Sequence, residues 1–504
     1  MSRSSTSETA ATSVDADRLD PKARMVLILL LAAVFVVFLN ETTMSVAIPT
    51  IIADLGITAA EGQWLTTGYA LTMAVVIPIT GWLLQRLNTR PVFITAMSLF
   101  TAGTLIAATA PVFEVLVVGR VVQATGTAIM MPLMMTTVMT IVPKHMLGRI
   151  MGRISMVFSL APALGPTIAG FLLQAFDQQW RGLFFVMLPL AIAMLVLGVV
   201  LVPNVSETRR IPLDAPSVVL SALGFSTLVY GLSSIGLAAE SAAIVSPWLP
   251  IAIGVGLLAA FVFRQFALQR RDAAFLDLRT FRARTFSLAI VLFSLAMLMM
   301  FGFVITMPLY LQYALLQPTE VIGLVMLPGG LLMGLLGPTV GRLYDRVGPR
   351  PLVIPGAIAV SVAVWAFALL LDVNSSVWLV AAIQTTLFLG FAFLFPPLFT
   401  ASLGSLPSHL YSHGSALIAT LQQVAGAAGA AVFVALFTIS LAASGSTVVP
   451  EAAPADIADA AKLAFLAGAF VSLGIVAVAL FVRKPAVPEV SDASLVSATE
   501  VSAH

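Results

Sequence analysis

The stretch Phe38-Leu39-Asn40-Glu41-Thr42-Thr43 places a carboxylate, flanked by amide and hydroxyl side chains, in a run from Val26 to Ile52 that is otherwise uncharged. An ionised carboxylate at membrane depth costs roughly 2.5 to 3.5 kcal/mol on insertion scales, and more in simulations. A chain keeps such a group only where it is paired, faces water or changes protonation state. A second charge, Arg120, lies inside another apolar run. Glu41 sits about nine residues, or roughly 13 Å of helix, from one end of its run, and Arg120 sits at similar depth from the matching end of its own. Attraction between them depends on the protonation of Glu41 and on the local dielectric. Two readings follow, a fixed ion pair joining two helices or an exchange site.

The elements that must hold these groups are membrane spans. The chain of 504 residues is 60% hydrophobic and 10% charged, with a mean hydropathy of +1.05, whereas a soluble domain is about 25% charged. Composition therefore predicts a polytopic membrane protein. No stretch resembles a cleaved signal peptide, so the first span is expected to act as its own uncleaved signal. The Ser- and Thr-rich start, residues 1–24, reads as a disordered tail, and residues 485–504 as a second tail. The absence of cysteine excludes disulfides, thiolate metal sites and a cysteine nucleophile.

A crossing helix needs about 20 apolar residues. Runs between charge and turn clusters predict spans near 26–50, 62–84, 91–110, 112–138, 150–174 and 182–203. A second group falls near 214–236, 247–267, 285–313, 320–341, 351–371, 376–401, 412–443 and 461–482. Alternation puts every Lys and Arg except Arg120, Arg181 and Lys462 in the tails or at loops and span ends on one side. That basic side is expected to be cytoplasmic, with both termini inside. An odd number of spans would scramble this pattern.

The chain also repeats. Pro78-x-x-Gly81-Trp82-Leu83-Leu84-Gln85-Arg86-Leu87-Asn88-Thr89-Arg90-Pro91 aligns without gaps on Pro338-x-x-Gly341-Arg342-Leu343-Tyr344-Asp345-Arg346-Val347-Gly348-Pro349-Arg350-Pro351, at an offset of 260 residues with six identities. Both copies follow the second span of a six-span set. The expected organisation is an N-terminal six-helix bundle over 25–204, an inserted helix pair over 205–270 and a C-terminal six-helix bundle over 271–484. Two related bundles about a central cavity are the plan of many secondary transporters.

Here a resemblance becomes specific. The loop from Gly341 to Arg350 resembles the signature loop of the major facilitator superfamily. Leu116-x-x-x-Arg120-x-x-Gln123-Ala124-x-Gly126 is similar to its fourth-helix motif, and Gly165-Pro166-x-x-Ala169-Gly170 to its antiporter motif. Trp180-Arg181-x-x-Phe184 followed by Pro189 resembles the start of the sixth helix in fourteen-helix drug:proton antiporters of the EmrB/QacA type. The first span matches that family's first-helix motif, with Asn40 where most members have Asp. Asn-Glu-Thr here and Gln85 to Arg90 in the first loop most resemble the LmrB branch of lincomycin-resistance exporters. The resemblance runs from about residue 26 to 480.

It implies an all-α major facilitator fold of 14 transmembrane helices, whose first and fourth helices line the N-terminal half of the cavity. Glu41 is then expected to be the exchangeable proton site, with Arg120 tuning it or taking over its charge. Asn40 moves the acid by one residue, about 100° around the helix, so either Glu41 takes over the family's Asp role or coupling lies elsewhere. A site for a cationic drug also benefits from a carboxylate, so Glu41 has a second possible use. Asp345, Arg346 and Arg350 are expected to form a gating latch, in which Asp meets the N-terminal dipole of a neighbouring helix. Arg86 and Arg90 belong to the weaker first copy, which has Gln85 for Asp and Asn88 for Gly. Gly165, Pro166 and Gly170 permit a bend and close packing. Candidate cavity groups are Asn40, Met44, Tyr69, Gln123, Gln312 and Gln422, with Gln423, Met130, Met131 and Phe395 beside them; neutral polar groups among Met and aromatic side chains suit a loosely specific apolar ligand. Trp64 and Trp180 read as interfacial anchors.

Other classes fit less well. The four histidines, His145, His409, His413 and His504, fall in loops, span ends or the tail, and no HExxH or GxSxG occurs. None of the four lysines follows a glycine-rich loop, so ATP is not the expected energy source. No filter repeat or ring of like charge suggests a channel. A metabolite or lipid-precursor exporter, or a proton-coupled importer, remains the alternative within the fold. The expected protein is a non-enzymatic antiporter of a bacterial inner membrane. It works as a monomer without cofactor or metal, draws on the proton gradient, binds no nucleic acid, and exports amphipathic drugs, lincosamides first among them.

Overall fold

In the computed structural model, residues 20–177, 179–205, 214–239, 246–271, 274–445 and 452–482 are described. Most of both expected tails, 1–19 and 483–504, lies outside them. Among the described residues, fourteen helices are long and apolar enough to cross a membrane. The first six are α1 (Pro21–Leu55), α2 (Ala59–Arg86), α3 (Thr89–Ala108), α4 (Phe113–Ile141), α5 (Leu147–Ala175) and α6 (Arg181–Leu201). The inserted pair is α7 (Ala215–Ala239) and α8 (Trp248–Gln269). The last six are α9 (Arg284–Leu309), α10 (Thr319–Val347), α11 (Arg350–Leu370), α12 (Val377–Gly404), α13 (Tyr411–Ala443) and α14 (Pro454–Ala479). The predicted spans all appear. Several helices run past them because apolar runs mark the hydrocarbon width, while a helix continues until a cap or turn stops it. Thus α1 begins at Pro21, where proline suits the first turn.

The halves pack differently inside. In the C-terminal half, Phe303 of α9 stacks on Phe465 of α14 at 4.9 Å and meets Phe367 of α11 at 5.2 Å and Phe433 of α13 at 5.6 Å. That core is aromatic. The core of the N-terminal half instead contains Arg120, Gln123, Asn40 and Thr127, all buried.

Two seams join the halves, α5 against α10 and α2 against α13. In the first, Gly148 and Gly152 of α5 face Gly337 and Gly341 of α10, and a Cβ at any of the four would press on the opposite helix. The spacing Gly-x-x-x-Gly on both helices lets the backbones touch, as at other small-residue membrane interfaces. Most of the hydrogen bonds between the halves gather at the basic end. Asp345 accepts from the backbone N–H groups of Gly148 and Arg149 at 2.7 and 2.8 Å. Thr136 and Ser415 share a hydrogen bond of 2.8 Å, and Gln85 meets His413 at 2.9 Å. Phe158 of α5 stacks near Phe399 of α12 at 6.5 Å. The molecule is closed at its basic end.

The inserted pair lies against the second seam, with α7 packed on both α2 and α13. Arg264 grips Asp214 with two bonds of 2.7 and 2.6 Å. Gln265 donates to Ser217 Oγ at 2.8 Å and accepts from the backbone N–H of Leu276 at 3.0 Å, which ties the pair to the segment that enters α9.

At the opposite end Trp180 corrects its expected role. It is buried, not interfacial, because its indole N–H donates to Asp54 at 2.8 Å and its ring packs with Phe184 at 6.1 Å. Arg181 donates to the same carboxylate at 2.8 Å and to the carbonyl of Ala110 at 2.9 and 3.2 Å. The clasp joins the end of α1, the loop before α4 and the start of α6. Trp64 is 45% exposed, and stacks near Tyr230 of α7 at 6.3 Å.

Two outcomes follow from these contacts. The chain has no cysteine, so Thr136→Cys with Ser415→Cys supplies a unique pair for oxidative crosslinking. Adding Gly152→Ile should cut the crosslinking yield severalfold by holding the basic end apart, and an unchanged yield would contradict the glycine seam. The second concerns pH. Donation from Trp180 and then Arg181 holds the Asp54 carboxyl below its usual range. The clasp therefore contributes stability above the ordinary carboxylate pKa, and loses it as pH falls through the lowered value. Thermal midpoints of wild type and Asp54→Asn should differ near neutrality and converge in acid; parallel curves at every pH would contradict this.

Candidate functional site

The buried polar group of the N-terminal half is built by α1, α2, α3 and α4. Glycines make it possible, since Gly103 of α3 meets the backbone of α4 at Gln123 and Gly126 of α4 meets that of α3 near Phe100. This closeness puts Gln123 within 2.8 Å of Thr104, to whose hydroxyl its amide donates. Three residues back, one turn along α4, lies Arg120. Its Nη1 donates to Gln123 Oε1 at 2.5 Å and to Asn40 Oδ1 of α1 at 3.4 Å. The guanidinium carbon stands 4.1 Å from the centroid of the Tyr69 ring of α2, a cation–π distance. The Tyr69 hydroxyl donates to Thr127 at 2.6 Å, and Thr127 donates to the carbonyl of Gln123 at 3.1 Å.

A full positive charge is thus buried and held by neutral groups. Its Nε has no partner among the described residues. The expected attraction between Glu41 and Arg120 takes no direct form: Glu41 makes no ion pair among the described residues, and its Oε2 is buried without a hydrogen-bond partner. The one-residue displacement explains this. A step of about 100° around α1 leaves Asn40, not Glu41, within hydrogen-bond reach of Arg120. A half-buried acid and a buried base share one bundle without a direct bond among the described residues.

Next to Glu41, Thr42 donates to the carbonyls of Phe38 at 3.1 Å and Ala161 of α5 at 3.3 Å. Gly165 of α5 lies directly on Thr42, where any side chain would collide. Of the three antiporter-motif residues this one packs against the acidic stretch. Pro166 and Gly170 are exposed, and a Cβ at Gly170 would meet open space.

The remaining candidates scatter. Asn40, Tyr69 and Gln123 surround Arg120, whereas Met44 packs among Ile51, Leu116 and Trp180 towards the other end of α1. Met130, Met131 and Phe395 are buried in the main apolar core. Gln312 is exposed in the π-helical turn Tyr310–Ala314 after α9. Gln422 is half-buried with Oε1 unpartnered among the described residues, and Gln423 contacts the Met73 sulfur across the second seam at 3.8 Å. Among the gating candidates, Asp345 crosses between halves at the first turn of α5. Arg90 instead braces its own half, donating to the Val199 carbonyl of α6 at 2.6 Å. Arg346 and Arg350 are exposed, and Arg86 stands 5.7 Å from the Trp82 ring. Gly348 turns the chain out of α10 at φ 80°, a conformation glycine adopts freely, while Asn88 in the first copy has φ −65°. The two aligned loops differ in shape as well as charge.

Sequence reasoning missed Thr104 and Thr127 as Arg120's second rank, and missed Gly148-x-x-x-Gly152 facing Gly337-x-x-x-Gly341. The glycine spacing was a readable signal; the threonines gave none.

Comparison with known proteins agrees with this architecture. The family model described as Major Facilitator Superfamily matches residues 30–430. The chain is 38% identical over 457 residues to "Lincomycin resistance protein LmrB" of Listeria monocytogenes, covering 90% of this chain and 95% of that protein. It is also 38% identical to "Uncharacterized MFS-type transporter YcnB" of Bacillus subtilis, over 91% and 95% of the two chains. Its fold superposes on the human organic anion transporter MFSD10 with a TM-score of 0.63 at 14% identity, over 90% of this chain and 100% of that one. The chain belongs to the major facilitator superfamily and is a multi-pass membrane protein.

Gln123→Leu should lower the thermal midpoint clearly, because it leaves Thr104 and a buried guanidinium each short of a partner at roughly 2 kcal/mol or more. Gln123→Glu should be far milder, since it still accepts from Arg120. Equal midpoints for wild type and Gln123→Leu, measured in the same detergent, would show that the network carries no such weight.

Proposed function

We propose that this member of the major facilitator superfamily exports amphipathic drugs of the lincosamide kind in exchange for protons, by alternating access in a bacterial cytoplasmic membrane with both termini inside. The single observation behind the coupling is the Glu41 carboxyl, whose Oε2 is buried without a hydrogen-bond partner among the described residues, near a buried Arg120 that only neutral groups hold directly. Two related proteins with 38% identity carry transport or lincomycin-resistance names, which favours a drug as cargo.

In the proposed cycle, ionised Glu41 balances the charge of Arg120 across the cluster. Binding a proton removes that balance, and Arg120 is left to Asn40, Gln123 and the Tyr69 ring. The two charge states favour different placements of α1 against α4 and, through Thr42 on Gly165, of α1 against α5. Protonation therefore biases the rocking of the halves. The arrangement described above, latched at its basic end by Asp345 and the glycine seam, corresponds to the outward-facing state. Here Glu41 takes a proton from outside as drug leaves, and the cavity then reopens inward. Gln422, half-buried with its Oε1 unpartnered among the described residues, supplies a neutral polar contact for cargo.

Energised lincomycin accumulation in a susceptible host tests this, comparing wild type, Glu41→Gln and Arg120→Ala at matched expression with and without a protonophore. Wild type should lower accumulation, the protonophore should restore it, and Glu41→Gln should abolish efflux. Normal efflux by Glu41→Gln would remove Glu41 from coupling. Protection against no member of a wider drug panel would overturn the drug reading.

A further inference from the structure

At the basic end, α1, α5 and α6 enclose a cavity of about 1050 Å³ that is separate from the Arg120 cluster. Three arginines line it, Arg24 at the start of α1 and Arg149 and Arg153 in the first turns of α5, and among the described residues no acidic one does. The Arg149 Nε is buried without a hydrogen-bond partner among the described residues. The rest of the wall is apolar, including Ile28 and Ala32 of α1 and Leu197 of α6. Ile28 and Leu197 are exposed at 56% and 41%, so the wall continues onto the outer surface of the bundle.

A charged mouth over an apolar trough, at the depth where a helix bundle meets headgroups, matches an anionic amphiphile better than a soluble anion or a neutral one. The geometry points to a site for an anionic phospholipid of the leaflet at the basic end. Its phosphate lies among Arg24, Arg149 and Arg153, and an acyl chain lies along Ile28, Ala32 and Leu197. Basic pockets between helices on this side of a membrane protein are suited to such headgroups. The Nε of Arg149, unpartnered among the described residues, gains an acceptor, and Arg24 and Arg153 gain a counter-charge beside that of Asp345 near Arg149. Arg149 also donates its backbone N–H to Asp345 at 2.8 Å, so the headgroup bears on the turn that closes the basic end. The inference is independent of the transported substrate.

Purified full-length protein, stripped of lipid in detergent, would be titrated with phosphatidylglycerol, phosphatidylcholine or inorganic phosphate. Native mass spectrometry reads bound lipid, and the thermal midpoint reads stabilisation. Phosphatidylglycerol should be retained and raise the midpoint, while the other two should not. Arg149→Gln with Arg153→Gln should weaken retention about fivefold for each guanidinium removed. Because Arg149 also serves the latch, the exposed Arg153→Gln alone gives a second reading in a folded protein. Ala32→Trp, which fills the trough and leaves every charge, should also weaken retention. Equal retention of the two lipids, or retention indifferent to these variants, would overturn the site. Stabilisation by phosphate equal to that by phosphatidylglycerol would make it a plain anion site and overturn the lipid assignment.

Discussion

The buried charge of Arg120 is the constraint around which the N-terminal half is built. A guanidinium has no acceptor of its own and stays protonated, so its burial demands acceptors or a ring face. Four helices answer that demand: Gln123 one turn along, Asn40 from α1, the Tyr69 ring from α2, and Thr104 of α3 behind Gln123. Thr104 reaches Gln123 because Gly103 and Gly126 let α3 and α4 touch. The network is neutral throughout, which leaves the Arg120 charge uncompensated by any direct partner. A permanent ion pair would fix α1 to α4. An acid placed one residue away, as Glu41 is, leaves the charge balance open to change.

The closed end of the molecule uses a different principle on each seam. Asp345 offers both carboxylate oxygens to the first free N–H groups of α5, where the helix dipole also favours a negative charge. In the pseudo-equivalent place Gln85 faces His413 in the first turn of α13, a neutral contact. The backbone N–H of Asp277, in the segment between α8 and α9, donates to the same imidazole at 3.2 Å. One seam is therefore charged and sits on a glycine contact. The other is neutral, covered by α7 and bound into the linker. This asymmetry gives the inserted pair a place in the structure: it spans the neutral seam.

Much of this was legible in the chain. Hydropathy and the one-sided distribution of Lys and Arg gave the fourteen spans, because burial in hydrocarbon is a one-dimensional property of a run. The Asp345 loop raised the expectation of a carboxylate at the N-terminus of a neighbouring helix, and Asp345 does meet the first N–H groups of α5. The displacement from Asn40 to Glu41 was readable as a rotation, and the structure shows its consequence at Arg120. What hydropathy did not give is which helix faces which. Trp180 looked like an interfacial ring because its position near a span end is the same whether it points to headgroups or inward to Asp54; only the tertiary approach of α1 decides. Asn40, Tyr69 and Gln123 read as cavity groups, yet their shared neighbour is a buried cation, which no spacing rule reveals. Arg90 carried the motif of a gate, but the nearest carbonyl belongs to its own half.

The most direct test of the central relation is infrared difference spectroscopy of the purified protein, following the carbonyl stretch of a protonated carboxyl in wild type and Glu41→Gln. Wild type should show a band that falls as pH rises, shifts when Arg120 is replaced by Lys, and is missing in Glu41→Gln. A wild-type spectrum indistinguishable from that of Glu41→Gln across the pH range would mean that Glu41 never exchanges a proton, and coupling would have to be sought elsewhere.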